Sequence, residues 1–181
     1  MKAAPLPTIE DTRTNDAFEE MMWAMSRPGI VRTLPLAGLS VMAEALLDRE
    51  CSYHVAVTLE EDLRLDRTGA RRESLSQAQY VFATVDTADG AALLSALAVG
   101  TLAYPDQAAT LFAPVKIGRG SRYRLTGPGI DGSIDIILES VDPLFWITRQ
   151  RSLRYPLGWD VYLVDGDQIL GIPRSTNVEV L

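Results

Sequence analysis

A chain of 181 residues with 24 acidic against 17 basic side chains, a net charge of −7, lacks the basic face needed to grip a nucleic-acid backbone. Its composition, 47% hydrophobic and 23% charged, is that of one ordinary globular domain, long enough to bury roughly 70% of its unfolded surface without staples. The single cysteine, Cys51, excludes an internal disulfide; no apolar run nears the roughly 20 residues of a membrane span, and no apolar run follows Lys2 as in a secretion signal. The expectation is a soluble, cytoplasmic protein with neither nucleic acid nor membrane among its partners.

Residues 1–14 read as a loosely ordered segment ahead of a single α/β domain over 15–181. A helix is expected over 15–26, where Phe18, Met21, Met22 and Met25 recur at helical spacing and Pro28-Gly29 stops the run. A strand over 30–34, a helix over 40–49 and a buried strand over 51–58 follow. Residues 59–76, which include Glu60-Glu61-Asp62, read as a polar loop with a small irregular element. A strand over 80–85 and a helix over 88–99, closed by Gly100, complete the first half.

The second half has a different texture. Strands over 110–115 and 121–126 are expected to form a hairpin across Gly118-Arg119-Gly120, and Gly127-Pro128-Gly129 is a further break. Residues 134–138 fit either a strand or a helix. Pro143 suits the first position of a helix over 143–154, and strands over 159–164 and 168–172 form a hairpin across Asp165-Gly166, a type I′ signal. The alternation predicts a mixed β-sheet flanked by helices.

Candidate chemistry is sparse. His54 is the only histidine, and a strand places it opposite Cys51, so neither a transition-metal site nor a nucleophile–histidine pair is indicated. Lys2 and Lys116 are the only lysines; the other bases are arginines. Two windows free of acids stand out, one with Lys116, Arg119, Arg122 and Arg124, the other with Arg149, Arg151 and Arg154. Arginine clusters suit either solvated surface or an oxyanion, to which guanidinium groups give paired contacts.

Four segments resemble the PhnH family, a component of the bacterial carbon–phosphorus lyase core complex of phosphonate catabolism. They are the stretch Phe18 to Gly29 with its Ser-Arg-Pro-Gly end, Gly100 to Leu111 around Pro105, Leu125-Thr-Gly-Pro-Gly-Ile130, and the pair Tyr155-Pro-Leu-Gly-Trp-Asp160 and Pro173-Arg-Ser-Thr-Asn-Val178. Glu19, Trp159 and Ser175 depart from the family pattern. The resemblance implies a fold like the large domain of pyridoxal-phosphate-dependent transferases, a homodimer, and partner subunits G, I and J. It implies a supporting role, with subunits G, I and L, in making ribose 1-alkylphosphonate 5-triphosphate from ATP and an alkylphosphonate. It carries over no catalytic residue and no cofactor; were a Schiff base to form, Lys116 is the one residue placed to serve. The anion or interface candidates are Arg149, Arg151, Arg154 and Arg174, and the interface candidates are Trp23, Tyr155 and Trp159. The alternative is a stand-alone protein whose arginine windows hold a polyphosphate.

Overall fold

The computed structural model describes residues 6–56 and 65–181. Lys2, the Glu60-Glu61-Asp62 run and the end of the strand expected over 51–58 lie outside them. Helix α1 (Ile9–Ser26) starts at Ile9, well ahead of the expected Asn15, because Thr8 and Asp11 form a reciprocal cap. The Asp11 amide donates to Thr8 Oγ1 at 3.1 Å and the Thr8 amide donates to Asp11 Oδ2 at 2.8 Å. Its buried face is Ala17, Met21 and Ala24, whereas Phe18 and Met22, expected on that face, stay exposed.

A seven-stranded sheet runs in the order β1 (Arg32–Thr33), β9 (Gln168–Ile172), β8 (Asp160–Asp165), β5 (Thr110–Pro114), β4 (Tyr80–Phe82), β2 (Ser52–Val55) and β3 (Arg71–Arg72). Strands β8, β5, β4, β2 and β3 are parallel, and β9 and β1 add an antiparallel flank. The β8–β9 hairpin forms as expected, but Asp165 pairs with Gln168, so the turn is Gly166-Asp167. Only its first residue has positive φ, Gly166 at 62°, which is the type II′ pattern rather than I′.

Each central strand divides its side chains between two cores. Phe82, Phe112, Tyr162 and Ile169 face α1 and α2 (Leu39–Leu46), where the rings of Phe82, Phe112 and Tyr162 stack at 4.9 and 5.3 Å. Val81, Leu111, Val161, Leu163 and Leu170 face the opposite way, toward α3 (Ala88–Leu93), α4 (Pro143–Ser152) and a smaller sheet. On the first side α1 lies against β9. A Cβ on Gly171 would sit 2.5 Å from the Ala24 carbonyl oxygen, and the Tyr162 hydroxyl donates to the Met21 carbonyl at 3.0 Å.

The smaller sheet is antiparallel, ordered β10 (Asn177–Val180), β6 (Lys116–Thr126) and β7 (Ile134–Glu139). The expected hairpin between 110–115 and 121–126 therefore does not exist. Gly118-Arg119-Gly120 is an irregularity inside β6, where the pairing with β7 shifts register between Ile117 and Ser121. Residues 134–138 resolve as strand because Ile136 and Leu138 join Tyr123 and Leu125 in covering the second core. Among the described residues, no helix is long and apolar enough to cross a membrane.

Candidate functional site

Helix α4 is set by its first residues. Pro143 needs no amide partner at the first position, and Asp142 caps the helix by accepting from the Leu144 amide at 2.8 Å. Its buried face carries Phe145, Trp146, Thr148 and Arg149. Arg149 is only 2% exposed and is spent on the carboxy-terminal segment. Its terminal nitrogens donate to the Pro173 carbonyl at 2.6 Å and the Thr176 carbonyl at 3.1 Å. Burial pushes its pKa down to about 10, with Asp160 opposing the shift, so the group is still a cation at neutral pH.

Arg174 serves as a second strut. Its side chain pairs with both Asp160 oxygens, the closest contact being 2.6 Å, and it donates to the Pro105 carbonyl at 2.6 Å. The Arg174 amide also donates to Asp160 Oδ1 at 2.7 Å. The four segments singled out in the sequence thus meet at one junction. Asp160 ends one motif, Arg174 belongs to its companion, and Pro105 lies in the central stretch. A Cβ on Gly127 would sit 2.8 Å from the Ser175 carbonyl oxygen, and one on Gly129 would sit 2.5 Å from that of Ser26. The motifs are spread along the chain because they are the pieces of one packed joint.

Two concavities flank the carboxy-terminal half of α4. One, of about 400 Å³, is enclosed by Trp146, Arg149, Leu153, Tyr155 and residues 174–178, with Pro128 at one wall. The other, of about 520 Å³, is lined by Ser95, Leu97, Thr148, Arg151, Ser152 and Arg154. Among the described residues neither the Arg151 nor the Arg154 side chain has a hydrogen-bond or ion-pair partner.

The other candidates separate. Trp159 is fully buried and packs 6.0 Å from the Phe145 ring, so it is core rather than an interface anchor. The residue directly before β8 is drawn inward with the strand. Tyr155 is 79% exposed at the rim of the first concavity, and Trp23 is 40% exposed on α1 with the Arg27 guanidinium 4.8 Å over its ring. These two residues stand on opposite sides of the large sheet. Arg149 and Arg174 are struts, not surface cations, because carbonyls and Asp160 already use them. Lys116 donates to Asp165 at 2.9 Å beside a hollow of about 250 Å³ that also includes Asp86 and Ser140. That bond and the Ile117 amide hold the Asp165 carboxyl below its usual range. Arg119 and Arg124 likewise face Glu139 and Asp135 across the small sheet, which neutralises most of the first basic window.

Sequence reasoning missed Trp146, Gln150 and Thr176 as neighbours of Arg149. The available signal was positional: Trp146, Arg149 and Gln150 are three and four apart on a helix, and Thr176 ends the Pro173-Arg-Ser-Thr motif. The Glu73 carbonyl accepts from His54 Nδ1 at 3.0 Å, as expected of a strand residue with a satisfied bond. Among the described residues, no group of three or more His, Cys, Asp or Glu side chains is placed to hold a metal ion.

Comparison with known proteins gives a consistent picture. The family model described as "Bacterial phosphonate metabolism protein (PhnH)" matches residues 9–179. The "Putative C-P lyase subunit protein HtxG" of Stutzerimonas stutzeri is 34% identical, over 99% of this chain and 95% of its own length. The "Alpha-D-ribose 1-methylphosphonate 5-triphosphate synthase subunit PhnH" of Rhizobium meliloti (strain 1021) is 29% identical, over 90% of this chain and 88% of its own.

Proposed function

Because the chain belongs to the PhnH family of bacterial phosphonate metabolism proteins, we propose that it is an assembly subunit of the carbon–phosphorus lyase core complex. In this reading it pairs with itself, joins subunits G, I and J in the cytoplasm, and with G, I and L supports formation of ribose 1-alkylphosphonate 5-triphosphate from ATP and an alkylphosphonate. The observation that carries the reading is the family match from residue 9 to 179, which spans both cores and the junction of motifs.

The surface has features that suit such a role. Phe18, Met22 and Trp23 on α1, and Tyr155 beyond α4, are exposed apolar or aromatic side chains of the kind that anchor interfaces. Co-expression of the tagged chain with subunits G, I and J, followed by affinity capture, is the test. A stoichiometric complex that is lost on Trp23→Ala or Tyr155→Ala supports the reading, and elution of the chain alone refutes it for this homologue.

A second reading is favoured by one observation: Arg151 and Arg154, both unpaired among the described residues, line the same concavity of about 520 Å³. Two free guanidinium groups in one groove suit a polyphosphate. Calorimetry with ATP would show tight binding that collapses in the Arg151→Ala/Arg154→Ala double variant. Kinship of the fold with pyridoxal-phosphate transferases is supported by the parallel strands with helices on both faces. Its cofactor consequence is tested by mixing with pyridoxal phosphate, where imine absorbance lost on Lys116→Ala would favour a Schiff base.

A further inference from the structure

We propose that the concavity of about 400 Å³ between α4, Pro128 and residues 174–178 is a binding site for a small organic anion with one charged oxyanion group and an apolar body. The charge balance of its walls is the first reason. Arg149 is a cation buried to 2% exposure with no carboxylate within ion-pair distance among the described residues. Asp160, the acid that its pKa registers, is already committed to Arg174, and no acidic side chain lines the concavity. One positive charge is therefore left without a counter-charge, and an unpaired buried cation is costly unless something anionic completes it.

The polar wall is also incomplete. Arg149 Nε, Trp146 Nε1 and Thr176 Oγ1 are each shielded from solvent without a protein partner, and all three residues line this concavity. Buried polar groups are almost always satisfied, so three together mark a place where a partner is missing from the chain itself. Leu153, Tyr155, Val178 and Pro128 supply the apolar part of the wall, with Gln150, Ser175, Asn177 and the Asp160-paired Arg174 at its polar edge, which sets the ligand's other half as largely apolar. The size is that of small-molecule sites in general. A polyphosphate does not fit this description, because a single free charge in a largely apolar wall, with Arg174 already paired to Asp160, cannot match several negative ones. The inference stands whether or not the chain enters a complex, and it uses the opposite flank of α4 from Arg151 and Arg154.

The purified full chain is titrated with phenylphosphonate and with benzoate, using benzamide as the uncharged match, and read by tryptophan fluorescence and by calorimetry. At least one anion is expected to bind saturably and about tenfold or more tightly than benzamide, the size of one hydrogen bond to a charged group. Arg149→Met is expected to abolish that preference. Because this variant also frees two carbonyls and can unfold, Tyr155→Ala, at an exposed position, is the second probe and should weaken binding several-fold while melting like the parent. The Arg151→Ala/Arg154→Ala variant should bind as the parent does. The proposal is overturned by no saturable binding at millimolar anion, by equal binding of benzamide, or by binding that survives Tyr155→Ala but is lost with Arg151 and Arg154.

Discussion

Replacing Gly171 with alanine tests how closely α1 lies on the sheet. Gly171 has no positive φ, so an alanine would find its backbone conformation acceptable and the whole cost is steric. The new Cβ would stand 2.5 Å from the Ala24 carbonyl oxygen, 2.6 Å from its carbon and 2.7 Å from the Met25 nitrogen. All three are backbone atoms that cannot rotate away, so α1 must retreat. Overpacking of this kind costs about 1–3 kcal/mol. The retreat also stretches the buried Tyr162–Met21 hydrogen bond, now 3.0 Å, whose loss costs about 1 kcal/mol. Together these give about 2–4 kcal/mol, or a fall in melting temperature of roughly 5–15 °C for a chain this long. Urea unfolding of Gly171→Ala and Gly166→Ala side by side supplies the control. Gly166 has φ 62° and nothing within 4 Å of its added Cβ, so it tests conformation alone, about 1 kcal/mol. If Gly171→Ala costs no more than Gly166→Ala, the close approach of α1 is refuted.

Tyr162→Phe leaves the ring stack intact but removes the second donor to the Met21 carbonyl, which keeps its partner within α1, and should cost about 1 kcal/mol by urea titration; an unchanged midpoint would mean that the hydrogen bond adds nothing. Trp159→Ala opens a cavity beside Phe145 and should cost about 3–5 kcal/mol, against near neutrality were Trp159 an interface side chain. Asp165 is held below the ordinary carboxylate range by Lys116 and the Ile117 amide. Its native state therefore binds a proton less readily than its unfolded state. The stability it contributes is complete above about pH 4 and is lost as pH falls through the lower native value. Urea midpoints should drop with acid over that window, less steeply in Asp165→Asn; parallel curves would remove Asp165 from the account.

Local signals carry far in this sequence wherever the structure is decided locally. Pro143 at the head of α4 and the turn around Gly166 are read from a few residues, and both are found. The start of α1 is equally local, a Thr8-to-Asp11 capping box, but the hydrophobic spacing further on draws the boundary to Asn15. What stays hidden depends on distant partners. Strand β6 pairs with β7 and β10, and nothing near Gly118-Arg119-Gly120 distinguishes a bulge inside one strand from a turn between two. Burial of Trp159 and Arg149 is of the same kind, since Phe145 of α4 packs on the first and residues 173–176 close over the second. The two α4 concavities are half legible: the arginine-rich window is visible, but not which cations stay free. Helical geometry sends Arg149 to one side and Arg151 and Arg154 to the other, and carbonyls from residues 173 and 176 then claim the first.

The contact between α1 and β9 has a consequence for how the protein is made. Synthesis runs from the amino terminus, so α1 leaves the ribosome early, whereas β8 and β9, which carry Tyr162 and Gly171 against it, are among the last strands to emerge. Until then Ala17, Met21 and Ala24 have no sheet to cover them, and the exposed Phe18, Met22 and Trp23 extend the same sticky surface. Closure over such a long separation in sequence is slow compared with local helix formation. Helix α1 is thus obliged to wait for a strand whose Tyr162 lies 141 residues beyond Met21, and the nascent subunit passes through an interval in which α1 is open to any protein that meets it.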